Sequence, residues 1–374
     1  MAEKSPRGLA DVVAASTSIS DIDGLEGRLI YRGYDIHDIA GRISFEECVH
    51  LLQRGNLPTQ DQLNGLAAEL ADDRPIGRAV ESLLQYVVDS IPMDALRTMV
   101  SALAVDDPDT ADSSLEANRR KATRLVAQMP VLVARFHAAR GGATTPEPDP
   151  KLGIAGNFLL QIGGEPPSER VAEIFDECLV LHADHTMNAS TFTARVIAAT
   201  LSDMHSAITG AMGALRGPLH GGANEAVMKT LASIEGDVEN VDDFVRAELD
   251  AGRKLMGFGH RVYKTEDPRA THLRKMSEEL AGLTGDSRYY EMSRRMEQVV
   301  LDTKGLYPNV DFFAASVYHA LGIPTDLFTP VFAISRMSGW TAHVIEQHED
   351  NRLIRPESEY TGPRDRHWVP VDQR

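Results

Sequence analysis

The sequence predicts a mainly α fold, and three observations carry that prediction. From about residue 37 onward apolar residues recur at helical spacing in segment after segment. Proline or glycine punctuates most of these segments, as at Pro58, Pro92, Pro108, Gly163-Gly164 and Gly217-Pro218. Strand-like patterning is confined to the first tenth of the chain, too little for a sheet-based core.

Residues 9–36 contain that patterning. Val12-Val13, then Ser16 to Ser20, the turn-like Asp21-Ile22-Asp23-Gly24 and Gly27-Arg28-Leu29-Ile30-Tyr31 suggest short strands around a hairpin. Ser44 and Glu47 have the spacing of a capping box, and Val49, Leu51 and Leu52 follow as the apolar face of a helix. Further helices are expected near 60–71, 77–90, 92–104, 115–139, 152–162, 168–184 and 188–215. Residues 141–150, with Gly-Gly, Thr-Thr and three prolines, read as a surface loop. After Gly221 come shorter amphipathic helices at 222–234, 241–254, 267–283, 286–303 and 309–321. A last long helix covers 330–347, followed by a tail rich in proline and arginine.

The 374 residues suffice for one large or two ordinary domains. The net charge of −17, from 38 basic and 55 acidic residues, argues against general nucleic-acid binding, which needs a positive footprint. No apolar run approaches the roughly 20 residues that span a bilayer. Met1 to Ala10 lacks the apolar core of a secretory signal, so a cytoplasmic location is expected. Cys48 and Cys178 have no metal-ligand spacing and read as reduced, buried thiols. Only eight of the basic residues are lysine. Arginine suits carboxylate and phosphate recognition because its planar fork donates two parallel hydrogen bonds, although a GC-rich genome explains such a bias equally well. An anionic substrate would require positive charge gathered locally against the overall field.

Four stretches concentrate polar residues where helix ends or loops are expected. In Leu181-His182-Ala183-Asp184-His185, the two histidines three apart share a helix face. They read as helix-end, substrate-binding or, with ligands not evident nearby, metal-binding residues. In Gly217-Pro218-Leu219-His220-Gly221-Gly222-Ala223-Asn224, glycines let backbone approach a ligand, and a following helix N-terminus favours a neutral imidazole. The alternative is an ordinary loop histidine. Gly257-Phe258-Gly259-His260-Arg261-Val262-Tyr263-Lys264 lacks the third glycine and the preceding strand of a dinucleotide fingerprint. With Arg253, Lys254, Arg261 and Lys264 around it, a phosphate-contacting loop remains open. In Pro308-Asn309-Val310-Asp311-Phe312-Phe313, Asp311 is either a helix cap or a partly desolvated base. Downstream, Arg336 sits on an apolar helix and needs an anionic partner if buried.

Taken together these strings resemble the signature regions of the citrate synthase family. Gly-Pro-Leu-His-Gly-Gly-Ala-Asn, Gly-Phe-Gly-His running to Asp-Pro-Arg, and Pro-Asn-Val-Asp stand in the family's order, with its nine-residue step from His260 to Arg269. The resemblance runs from Tyr31-Arg32-Gly33-Tyr34 to Arg355-Pro356 and is closest to the shorter bacterial and archaeal forms. It implies a two-domain helical fold, with a large domain of residues 1–220 and 326–374 and a small domain of 221–325. It implies condensation of acetyl-CoA with oxaloacetate, the entry step of the tricarboxylic acid cycle, by a homodimer. Asp311 would be the base, His220 the donor to the thioester oxygen and His260 the donor to the ketone. His185, Arg269, Arg336 and Arg355 would bind the oxaloacetate carboxylates, Arg355 from the neighbouring subunit. Arg253, Lys254, Gly257, Gly259, Arg261, Lys264, Lys304 and Asn309 are candidates for the CoA contacts. No metal and no cofactor is implied, the CoA thioester being a substrate.

The nearest alternative is 2-methylcitrate synthase, which uses propionyl-CoA. The stretch from Asn188 to Val196 and Ser338-Gly339-Trp340 resemble that branch, whereas His182-Ala183-Asp184-His185 resembles citrate synthases proper. One methylene is worth only about 1–3 kcal/mol of discrimination. Readings from other classes are a non-catalytic helical binding protein on the same fold, which the presence of all three catalytic residues disfavours, and a metal-dependent hydrolase using His182 and His185.

Overall fold

The computed structural model describes residues 7–9 and 12–374; most of the Met1–Ala10 segment lies outside them. A three-stranded antiparallel sheet opens the chain, with β1 Ser20–Asp23, β2 Arg28–Tyr31 and β3 Tyr34–Asp35. Ser20 pairs with Tyr31 and Asp23 with Arg28. The hairpin expected around residues 21–31 is present and gains a short third strand, while residues 12–17 form no strand.

Helices α1 Ile36–Ile39, α2 Phe45–Arg54, α3 Gln60–Asp72, α4 Arg78–Val87 and α5 Pro92–Asp106 follow. Then come α6 Leu115–Arg140, α7 Ile154–Gly163, α8 Glu169–His182, α9 Ala189–Ala198 and α10 Met204–Leu215. The last six are α11 Ala223–Ser233, α12 Val241–Asp250, α13 Pro268–Thr284, α14 Arg288–Lys304, α15 Val310–Ala320 and α16 Phe328–Glu349.

The capping box at α2 is formed in full. The Ser44 hydroxyl accepts from the Glu47 N–H at 3.2 Å, and the Ser44 N–H donates to the Glu47 carboxylate at 2.7 Å. The single helix expected over 188–215 is instead two. Leu201 adopts a left-handed conformation (φ 62°), and Asp203 then caps α10 by accepting from the Ser206 N–H at 2.9 Å. Uninterrupted apolar patterning hid this break; the Ser202-Asp203 pair was its only sequence signal. The segment 241–254 also ends early, at Asp250, where Gly252 (φ 68°) turns the chain.

Every residue of α16 from Phe328 to Ile345 is buried, and the helix packs against α2, α6, α8, α9 and α10. A helix buried on every side belongs at the centre of a large helical assembly. Helices α11, α13, α14 and α15 pack on one another, and α11 also touches α16. One continuous apolar core runs through both groups. No helix of the described residues is long and apolar enough to cross a membrane. Cys48 and Cys178 are both buried and unbridged.

Candidate active site

Four loops and the middle of α16 supply the polar residues singled out above. The first is the turn after α8. Tyr31 clamps it: the phenol donates to the Asp184 carbonyl at 2.9 Å and accepts from the Asp184 N–H at 3.1 Å. Asp184 in turn accepts from the Thr186 N–H at 3.0 Å and from the Ser20 hydroxyl. On the other side α16 comes so close that a Cβ on Gly339 would sit 2.4 Å from the Ala183 carbonyl. His185 therefore projects from a fixed backbone. It is 8% exposed, and its Nε2 lies 3.2 Å from the Tyr263 hydroxyl. Burial, then the charges of Arg269 and neighbouring His260, hold its imidazole far below the usual histidine range.

His182, its expected companion, is a core residue. Its Nδ1–H donates to the Cys178 carbonyl at 2.7 Å, and the ring packs edge-on against Phe332. Among the described residues no group of three or more histidine, cysteine, aspartate or glutamate side chains is placed to hold a metal ion.

His220 lies in the turn between α10 and α11. Its Nε2 is 3.3 Å from the Ser190 N–H and 2.8 Å from the Ser190 hydroxyl, which Trp340 also contacts through its indole N–H at 3.1 Å. A backbone N–H aimed at Nε2 makes that nitrogen an acceptor and puts the ring hydrogen on Nδ1. Burial first, and Arg336 second, lower its pKa to about 4. The imidazole is therefore neutral near pH 7.

His260 is held by its own chain. The N–H groups of Val262 and Tyr263 donate to its Nδ1 at 3.0 and 3.1 Å. The hydrogen is then on Nε2, free to donate. Burial and Arg269 bring its pKa to about 4 as well. The glycines before it shape the loop. Gly257 has φ 85°, and a Cβ there would meet Val227 at 2.7 Å and Phe312 at 2.9 Å. Asn309 straps this loop to the start of α15: its N–H donates to the Gly257 carbonyl and its side-chain amide to the Gly259 carbonyl, both at 2.9 Å.

The same Asn309 caps α15 by accepting from the Asp311 N–H at 3.0 Å. Cap and candidate base are thus different residues. The Asp311 carboxylate takes no hydrogen bond among the described residues, and burial raises its pKa to about 6. Arg269 opens α13 and is 2% exposed, forked onto Asp267 at 2.9 and 2.7 Å. Arg336 is 1% exposed, donates its Nε–H to the His182 carbonyl at 2.8 Å and lies over the Phe332 ring at 4.5 Å. Among the described residues no carboxylate pairs with it. Burial lowers its pKa to about 10, with Asp184 working against that shift.

These groups occupy one neighbourhood. The His185 and His260 rings are 5.3 Å apart, His185 feels Arg269, Arg336 and His220, and Asp311 feels both arginines. Arg355 is elsewhere, in the exposed tail, on the wall of a cavity of about 730 Å³ shared with Arg195, Glu346 and Arg352 but with none of the other site residues. Arg253, Lys254, Arg261, Lys264 and Lys304 are exposed. Arg253 is engaged by Glu248, with its Nε at 2.7 Å. Three contributors were not expected as site residues: Tyr263, Ser190 and Asp267. Tyr263 and Asp267 fall inside the quoted His260–Arg269 stretch, whereas nothing local to Ser190 announces its contact with a histidine 30 positions on.

The chain has clear counterparts among known proteins. Residues 8–357 match the family model described as citrate synthase, C-terminal domain. The chain is 52% identical to citrate synthase 2 of Bacillus subtilis, over 98% of this chain and 99% of that one. It is 48% identical to citrate synthase of Haloferax volcanii, over 98% of each, and 41% identical to 2-methylcitrate synthase 1 of Corynebacterium glutamicum, again over 98% of each. Among solved structures it resembles the ternary complex of carboxymethyl coenzyme A and oxaloacetate with citrate synthase from Thermoplasma acidophilum (TM-score 0.91, 34% identity, 97% of each chain). The chain belongs to the citrate synthase family.

Proposed function

We propose that the chain condenses acetyl-CoA with oxaloacetate and water to give citrate and CoA. Asp311 carries the reading: a carboxylate unpaired among the described residues, with its pKa pushed up to about 6 and sharing its surroundings with two neutral imidazoles and two buried arginines, is poised as a base near neutral pH. It takes a proton from the methyl group of the thioester. The electron pair moves into a carbon–carbon double bond, and the thioester oxygen takes up charge against the Nδ1–H of His220. The enol carbon attacks the ketone carbon of oxaloacetate, whose oxygen accepts from the Nε2–H of His260. Preorganised donors of this kind are worth roughly 100–1,000-fold each. Water then cleaves the citryl thioester and CoA leaves.

Arg269, Arg336 and His185 hold the oxaloacetate carboxylates. Arg336 is the strongest case, since a buried guanidinium that no carboxylate pairs with among the described residues calls for an anionic guest. The positive charge that an acidic protein needs for a dianionic substrate is supplied there. Arg355 completes the set from the partner subunit of a homodimer, so that mixing R355A and D311N subunits should restore activity that neither variant has alone. Lys254, Arg261, Lys264 and Lys304, with Arg253, are the cations available to the CoA phosphates. No cofactor enters any step, the polarising being done by imidazole and guanidinium donors. Residues 221–325 would close as a small domain on 1–220 and 326–374, with oxaloacetate binding first and completing the CoA site. The protein would work in the cytoplasm as the entry enzyme of the tricarboxylic acid cycle.

Release of free thiol from acetyl-CoA, dependent on oxaloacetate and absent in D311N, is the test. The relative at 41% identity named 2-methylcitrate synthase supports a second reading, with propionyl-CoA as acyl donor. Comparing kcat/KM for the two thioesters decides between them; a ratio above about 10 in favour of propionyl-CoA overturns the first.

A further inference from the structure

We propose that Tyr263 is a positioning residue that fixes the tautomer of His185, so that Nδ1–H rather than Nε2–H meets the carboxylate of the 2-oxo acid. Tyr263 is 3% exposed, and the one hydrogen-bond partner of its hydroxyl among the described residues is His185 Nε2, at 3.2 Å. A buried phenol hydrogen needs an acceptor. Burial pushes the phenol's ionisation well above its ordinary range, so that hydrogen is present throughout the working pH range. Burial with the nearby arginines keeps His185 neutral, so exactly one of its nitrogens carries hydrogen.

Two arrangements are then open. If Nε2 held the hydrogen, it would donate to the phenol oxygen and strand the phenol hydrogen in a buried place. If Nε2 is bare, the phenol donates to it and both groups are satisfied. The second arrangement leaves the hydrogen on Nδ1, which has no hydrogen-bond partner among the described residues. Nδ1 therefore presents a donor, and the opposite tautomer would present a lone pair to an incoming carboxylate.

The same residue acts on the second histidine. The Tyr263 N–H is one of the two donors that hold His260 Nδ1, at 3.1 Å. Its ring stands 4.7 Å from His260 and 5.6 Å from His185. Backbone and side chain of one residue thus set opposite tautomers on two adjacent imidazoles: Nε2–H at His260 and Nδ1–H at His185. The carboxylate half of this inference rests on the proposed substrate; the tautomer half does not.

The experiment has a spectroscopic arm and a kinetic arm. Long-range ¹H–¹⁵N correlation on histidine-labelled protein, with H185N used for assignment, should show His185 with a protonated Nδ1 and a bare Nε2. In Y263F, which keeps the ring, the Nε2–H tautomer should become populated. KM for oxaloacetate should rise roughly tenfold, as for loss of one hydrogen bond to a charged group, with kcat changing less. H185N, whose amide imitates an Nδ1–H donor, should bind oxaloacetate better than H185Q, and adding Y263F to H185N should raise KM no further. A wild-type His185 with hydrogen on Nε2, or an unchanged tautomer in Y263F, overturns the proposal. A tautomer that shifts while KM stays put overturns the carboxylate contact alone.

Discussion

Charge partly or wholly withdrawn from water is handled in two ways in this molecule. Between α5 and α6 it is matched internally. Arg124 reaches Asp107 at 2.8 and 2.9 Å and Asp109 at 2.5 Å, Arg120 forks onto Asp109, and His205 approaches Asp107 at 3.3 Å. Around Asp311 and Arg336 the opposite holds: among the described residues one has no hydrogen bond and the other no carboxylate. The first arrangement fixes a helix junction. The second keeps two groups in their less favourable charged states, which only a ligand or a proton transfer relieves. Lack of a matching partner, more than withdrawal from water, separates a site from a scaffold.

Replacing the base should break this contrast most sharply. D311N removes proton abstraction and should lower the rate of thiol release at least ~1,000-fold. The effect on stability has the other sign. Folded Asp311 binds its proton more tightly than an unfolded aspartate, at about 6 against a usual 3.9 or so. Above pH 6 its ionised form therefore weighs against the fold, and the penalty fades as pH falls through 6. D311N at pH 8 should be more stable than wild type by on the order of 1–3 kcal/mol in urea unfolding. A loss of stability would place Asp311 among the matched charges instead.

Arg336 is next. R336M keeps an apolar chain over Phe332 and removes the cation. KM for oxaloacetate should rise ~10- to 100-fold, the worth of a charge-assisted hydrogen bond to a carboxylate, while thermal stability holds or improves. A Tm fall of more than a few degrees with unchanged KM would make Arg336 a structural residue.

The pH profile sharpens the assignment. With Asp311 near 6 and His220 and His260 near 4, kcat/KM should fall tenfold per pH unit below about 6. It should steepen only close to pH 4, where the imidazoles charge. A single limb near 7 would point to a histidine as the base.

How far the sequence reached follows the same division. His260 and Arg269 stand within one stretch of ten residues, and the family resemblance related them; Asp267, which grips Arg269 inside the same stretch, was passed over. The capping box of α2 is equally local. Asp311 was open to two readings on its own residues, cap or base; the resemblance favoured the base, and the cap of α15 is Asn309. Ser190 touching His220 and Tyr263 touching His185 depend on how distant segments pack, and no periodicity encodes that. The break at Leu201 was missed for a related reason, since both halves of 188–215 keep an apolar face. Arg355 stands apart from the other site residues, in the exposed tail, and under the proposed dimer its partners would lie in the second subunit.

The smallest effect belongs to the matched cluster. Burial alone would raise the Asp107 pKa, but hydrogen bonds from His205, Arg124 and the Asp109 N–H more than reverse it, leaving the carboxyl well below the usual range. A depressed carboxylate contributes stability that is fully present above its unfolded value, near 4, and is lost as pH falls towards its folded one. D107N forfeits that contribution and leaves Arg124 short of its main partner. It should cost about 1–3 kcal/mol at pH 7 and flatten the acid side of the stability curve below pH 4. KM for oxaloacetate should not move, because neither Arg124 nor His205 belongs to the cleft. Urea unfolding at pH 7 and pH 3 checks it: an equal cost at both would mean that Asp107 acts by packing and not by charge.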